Sequence, residues 1–83
     1  MFKSTQDYNC AIYKVLTTIR DTNSFPNPNT ELDECDLGDV VNFCNCNNYV
    51  NGIDIVQNAL GYYIYSGQPR LTYEGLNFIE QFN

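Results

Sequence analysis

The chain has 83 residues, four of them basic and ten acidic, with no histidine and a formal charge of −6. That length makes one domain with a single modest core. The charge opposes non-specific nucleic-acid or anionic-membrane binding, and the missing histidine removes the common triads and His-based acid–base pairs.

Met1-Phe2-Lys3-Ser4 runs straight into a polar segment, and no long apolar stretch follows. The expectation is a cytoplasmic protein with no signal peptide, no membrane association and reduced thiols. The first helix is predicted from about Ser4 or Asp7 to Arg20. Tyr8, Ala11, Ile12, Val15, Leu16 and Ile19 repeat at i, i+3, i+4, i+7 and define one buried stripe, with Cys10 and Lys14 on the other side. Residues 21–30 contain two prolines and three asparagines, which argues for a connection in which Phe25 anchors to the core. Leu32 is placed in a short turn where a helix-turn-helix has its second helix.

The next helix is predicted over 36–47 with Asp36 as N-cap. Leu37, Val40, Val41 and Cys44 share one face; Gly38, Asp39, Asn42 and Cys46 share the other, with Phe43 at the border. Asn47-Asn48 supplies a left-handed stop. The period then changes. Residues 49–56 read as a strand with an irregularity at Gly52, 57–61 as a turn and 62–65 as a second strand, with Ser66-Gly67-Gln68-Pro69 breaking it. Alternation puts Tyr63 and Tyr65 on one face of this hairpin and Tyr62 and Ile64 on the other. A last helix starts after Thr72 as N-cap, with Leu71, Gly75, Phe78, Ile79 and Phe82 on one face and Tyr73 and Leu76 outside it. Gly75 in that stripe implies close approach of a neighbouring element. The fold class read from this order is α+β: a single winged helix-turn-helix domain over 1–83, about three helices with a two-stranded β-hairpin wing.

The cysteines, Cys10, Cys35, Cys44 and Cys46, contain no C-x-x-C pair, so no metal, cofactor or structural disulfide is expected. The run Asp33-Glu34-Cys35-Asp36-Leu37-Gly38-Asp39 fails the calcium-loop pattern, because Cys35 and Leu37 stand where oxygen ligands are needed. No phosphate-binding glycine loop is present. An enzymatic role is not expected.

Two stretches carry a family resemblance: Asp39-Val40-Val41-Asn42-Phe43-Cys44-Asn45-Cys46-Asn47-Asn48-Tyr49-Val50 and Arg70-Leu71-Thr72-Tyr73-Glu74-Gly75-Leu76-Asn77-Phe78-Ile79. They resemble the small winged-helix proteins of the YjcQ type and the related DUF2513 type. Those have a helix ending in Leu-Leu-x-x-x-Gly-Leu-Ile, a hairpin, then Leu-Thr-aromatic-x-Gly-x-x-Phe-Leu. Here Leu71-Thr72-Tyr73-Glu74-Gly75 matches, while Asn48 replaces the usual Gly. The resemblance implies a winged-helix fold and an origin in a phage, prophage or other mobile element of a bacterial host. It carries over no catalytic residue.

One feature departs from DNA-binding relatives of such a fold. Between Arg20 and Arg70 there is no basic residue, and Asp21, Glu31, Asp33, Glu34, Asp36, Asp39 and Asp54 fall in that stretch. The stretch covers the reading helix and the wing, which would repel phosphates. The expected function is therefore protein–protein binding: contact with a host or defence protein that has a basic surface, in the manner of an inhibitor or DNA mimic, with anti-CRISPR proteins as one class that fits. The candidate partner-binding residues are Glu31, Asp33, Glu34, Asp36, Asp39, Asn42, Phe43, Tyr63 and Tyr65. An acidic face that only keeps the protein soluble is the plainer alternative. A winged-helix transcriptional regulator, gathering the basic residues of a homodimer on one side, is the second function considered. A dimerisation module using Tyr73 and Leu76 is the third.

Overall fold

The computed structural model describes residues 2–30 and 32–82. The element order is α1 (Thr5–Thr22), α2 (Glu34–Cys46), β1 (Val50–Gln57), β2 (Tyr63–Leu71) and α3 (Tyr73–Gln81). This is the predicted α+β layout, three helices and an antiparallel hairpin in winged-helix order. Residues 23–33 carry no helix among those described, so the connection around Leu32 stands where the second helix of a helix-turn-helix would be. Leu32 itself is buried in the core.

α1 forms where its apolar period demands. Ser4 caps it, its hydroxyl accepting from the Asp7 amide at 3.1 Å. Ala11, Ile12, Val15, Leu16 and Ile19 are buried along one stripe. The helix runs to Thr22, past the expected end at Arg20, and stops at Asn23, whose φ of 55° is left-handed. The loop after it returns to the core through Phe25, whose ring meets Tyr65 edge-on at 4.6 Å.

α2 packs against this stripe through Leu37, Val40, Val41 and Cys44, all essentially without solvent contact. Its N-cap is Asp33 rather than Asp36: the Asp33 carboxylate accepts from the Asp36 amide at 2.9 Å. Either Asp could cap, and the earlier one wins because it adds a turn while leaving Asp36 inside the first turn, where its charge favours the helix dipole. The expected left-handed stop falls on Asn48, at φ 59°.

The hairpin pairs Val50 with Leu71 through to Gln57 with Tyr63. β2 is longer than expected. Ser66-Gly67-Gln68-Pro69 does not break it but forms a bulge, with the register shifting between Asn51 and Ile53. Gly52 at φ 78° and Gly67 at φ 110° face each other there, where any side chain would strike the opposite backbone. Pro69, which cannot donate to the ladder, is buried at this irregular point. α3 follows directly. The Thr72 hydroxyl accepts from the Gly75 amide at 3.1 Å and donates to the Asn48 carbonyl, tying the start of α3 to the end of α2.

Candidate functional site

The candidate surface is the N-terminal half of α2 with the wing beside it. The Asp33 carboxylate is engaged as N-cap. Glu34 and Asp36 complete an acidic first turn. These three charges lie at the positive end of the helix dipole, so local physics accounts for part of the cluster. Asp39 lies one turn further on, exposed, where the dipole no longer favours it. Its backbone carbonyl accepts from the Tyr8 hydroxyl at 3.3 Å. Burial and then the Asp39 charge push the Tyr8 phenol above its ordinary value. Glu31 lies outside the described residues.

Asn42 is half-buried on the next turn, and the Cys46 thiol points to its side-chain oxygen at 3.9 Å. Phe43 is partly exposed and belongs to a run of ring contacts: Phe2 to Tyr8 at 4.6 Å, Tyr8 to Phe43 at 5.3 Å and Phe43 to Tyr49 at 6.4 Å. The run continues through Phe78 and Phe82 to Tyr13 and laces the three helices together. Phe43 is thus anchored on one side and open on the other.

The hairpin tyrosines divide differently from the candidate set. Tyr63 and Tyr65 are half-buried on the inner face. Tyr65 packs against the core, and burial raises its phenol above the ordinary value, with Glu34 adding to the shift. Tyr63 lies over Gly38, where even a methyl group would stand 3.0 Å from the Tyr63 carbonyl. The small residue in α2 is what lets β2 lie flat on the helix. These two tyrosines hold the wing in place, and their outward neighbours Tyr62 and Ile64 are the exposed ones. Alternation separated the two sets but not which faced inward; Gly38 was the signal, since the inner strand needs a gap on the helix. Tyr73 and Leu76 are exposed on α3, as expected.

Tyr62 stands within electrostatic reach of the acidic turn: the Cys35 thiol, with the Asp33 and Glu34 charges behind it, raises its phenol above the usual value. The basic residues lie elsewhere. Lys3 and Lys14 rim a groove of about 370 Å³ floored by Phe2, Ala11 and Leu32, with Asp7 and Cys10 beside them. Arg20 pairs with Asp21 at 2.9 Å, and Arg70 sits beside the bulge near Asn23 and Pro69.

All four cysteines are free thiols. Cys44 is buried, and burial pushes its thiol up to about 12. Among the described residues, no group of three His, Cys, Asp or Glu side chains is placed to hold a metal ion, and no helix is long and apolar enough to cross a membrane. Comparison with family models, with curated proteins and with solved structures returns no match to this chain.

Proposed function

We propose that this protein acts by binding another protein through the acidic side of α2 and the wing. Its partner would be a host or defence protein with a basic, nucleic-acid-binding surface. Binding would block that surface by occupying it, as an inhibitor or DNA mimic does; a CRISPR nuclease is one partner of this type. The setting would be the cytoplasm of a bacterial host carrying a phage or mobile element, as the resemblance to YjcQ-like proteins suggests. The observation that carries the proposal is the charge of the reading position. Asp33, Glu34, Asp36 and Asp39 stand on the helix that such folds present to DNA, and neither α2 nor the hairpin turn contributes a Lys or Arg. A basic partner would be steered to this face by long-range attraction.

Affinity purification from host lysate, with identification of what is retained, gives the partner. The proposal expects a basic nuclease or polymerase whose nucleic acid competes for it. Asp36→Lys with Asp39→Lys should then slow association and flatten its salt dependence, with the dissociation rate changed less. Wild-type kinetics in that variant would refute the role of α2.

The winged-helix order of elements favours a second function, transcriptional regulation by DNA binding. A fluorescence titration with duplex DNA separates the two. Sub-micromolar, sequence-selective binding at physiological salt would establish the regulator and remove the first proposal. No binding is expected, because several phosphates must be neutralised for even non-specific affinity.

A further inference from the structure

We propose that the outer face of the hairpin is a docking surface for an apolar segment flanked by Lys or Arg in a partner protein. The inference rests on the basic partner proposed above and identifies where that partner is gripped. Val56, Leu60, Tyr62 and Ile64 are 62%, 78%, 48% and 53% exposed. Val56 and Ile64 are direct cross-strand partners on one face, and Leu60 and Tyr62 follow them at the exposed end of the hairpin. A chain this small needs its large apolar residues for the core. Leaving two paired on the outer face and two more beside them at the tip of one hairpin is the pattern of an interaction site rather than of scattered surface apolars.

The tip is held in one shape by its own hydrogen bonds. The Asn58 side-chain oxygen accepts from the Leu60 amide at 2.9 Å and the Tyr62 amide at 3.0 Å. The Asn58 amide donates to the Tyr62 carbonyl at 2.8 Å, and the Gln57 side chain donates to the Gly61 carbonyl at 3.1 Å. A partner therefore meets a surface already ordered, which lowers the entropy lost on binding.

The rim decides the occupant. Asp54 lies on the same strand face by alternation and pairs with Ser66. Beyond the tip, the Asp33 and Glu34 charges are close enough to Tyr62 to help raise its phenol. No Lys or Arg occurs from residue 21 to 69. Two copies of this face would bring acidic rims together, and an anionic lipid surface would be repelled. An apolar segment with basic flanks satisfies both the patch and its border.

The test uses the full chain as bait for a displayed library of random short peptides. The best peptide is then synthesised and titrated while the protein's amide chemical shifts are followed. The expected winners combine large apolar residues with flanking Lys or Arg, and move the shifts of residues 54–64 most. Val56→Ser with Ile64→Ser should weaken that peptide about tenfold, a loss of about 1.4 kcal/mol, with cooperative unfolding and the dispersion of the remaining amide shifts retained, because both side chains lie outside the core. Failure to enrich any peptide, enrichment of sequences without basic flanks, or shifts centred elsewhere would overturn the inference. So would a dimer in sedimentation velocity that the same double variant dissolves, since the occupant would then be a second copy. Two results separate the inference from its premise. Binding lost in Asp36→Lys/Asp39→Lys but kept in Val56→Ser/Ile64→Ser leaves the basic partner standing and removes the wing. Binding at the wing by peptides without basic flanks removes the basic partner.

Discussion

Gly75→Ala should destabilise the protein, against what helix propensity alone dictates. Gly75 lies inside α3, where replacing Gly by Ala would ordinarily add about 1 kcal/mol of stability. A β-carbon at this position would sit within forbidden distance of the Tyr49 carbonyl oxygen and 3.1 Å from a Leu71 methyl group. The Leu71 side chain can rotate aside. The Tyr49 peptide cannot easily move, because it is held from both ends. Its carbonyl accepts from the Thr72 amide at 3.1 Å, and its amide donates to the Cys44 carbonyl at 2.9 Å. Next to it, the Asn48 carbonyl takes the Thr72 hydroxyl. α3 must therefore lift away from the α2–β1 junction.

Overpacking against a fixed group costs about 1–3 kcal/mol, and losing the Thr72–Tyr49 hydrogen bond adds about 1 kcal/mol. Set against the propensity gain, the net expected loss is about 1–3 kcal/mol. Each kcal/mol corresponds to about 4–8 °C in melting temperature for a domain of this size. Urea unfolding followed by circular dichroism measures the loss directly, and the slope with denaturant should stay constant. Gly38→Ala is the internal comparison. Its β-carbon would meet the Tyr63 carbonyl at 3.0 Å, on a strand end that can yield, so its loss should be smaller. A Gly75→Ala variant as stable as wild type, or more so, would refute the close approach.

Three further variants probe the core, the helix stop and alkaline pH. Val41→Asp should give no cooperative thermal transition, because Val41 is buried and an unpaired core charge costs several kcal/mol; a wild-type melt would contradict the packing of α2. Asn48 has a φ of 59°, so Asn48→Val should cost about 1–2 kcal/mol while Asn48→Gly is neutral or mildly stabilising, read by the same urea curves. The Cys44 thiol titrates near 9.0 when unfolded and at about 12 when folded, so above the lower value only the unfolded chain releases the proton. The stability this thiol contributes is complete below its unfolded pKa and is lost as pH rises toward the folded one, by at most about 1.4 kcal/mol per pH unit. Urea curves across this range should be flatter for Cys44→Ala, and an unchanged slope would show that another group is responsible.

The helices were legible because each has a period its neighbours in sequence enforce: the stripe from Ala11 to Ile19 and the quartet Leu37, Val40, Val41 and Cys44 are buried as read. Gly75 was legible too, since a glycine in an apolar stripe has few reasons other than proximity. What escaped depends on partners distant in sequence. Gly67 and Pro69 are breakers in isolation, and only Gly52 on the facing strand turns them into a bulge that β2 runs through. Tyr63 and Tyr65 were separable from Tyr62 and Ile64 by alternation, but their direction is set by Gly38 on another element. The acids were visible in composition; that Tyr62, at the end of the exposed wing, lies within their electrostatic reach was not, because Cys35, Asp33 and Glu34 stand on another element.

The acidic residues of α2 are not equivalent as signs of function. Asp33 is an N-cap, and Glu34 and Asp36 stand in the first turn, where a helix favours negative charge for its own stability. A protein with no binding partner would gain from these three. Asp39 gains nothing from the dipole at its depth in the helix, and Asp54 sits on the outward strand face, opposite Ser66 and exposed. Neither has a local reason to be acidic. Charge beyond what the helix start uses is what the proposed interface with a basic partner would draw on. Asp39 and Asp54 therefore carry more of the functional argument than the denser run before them.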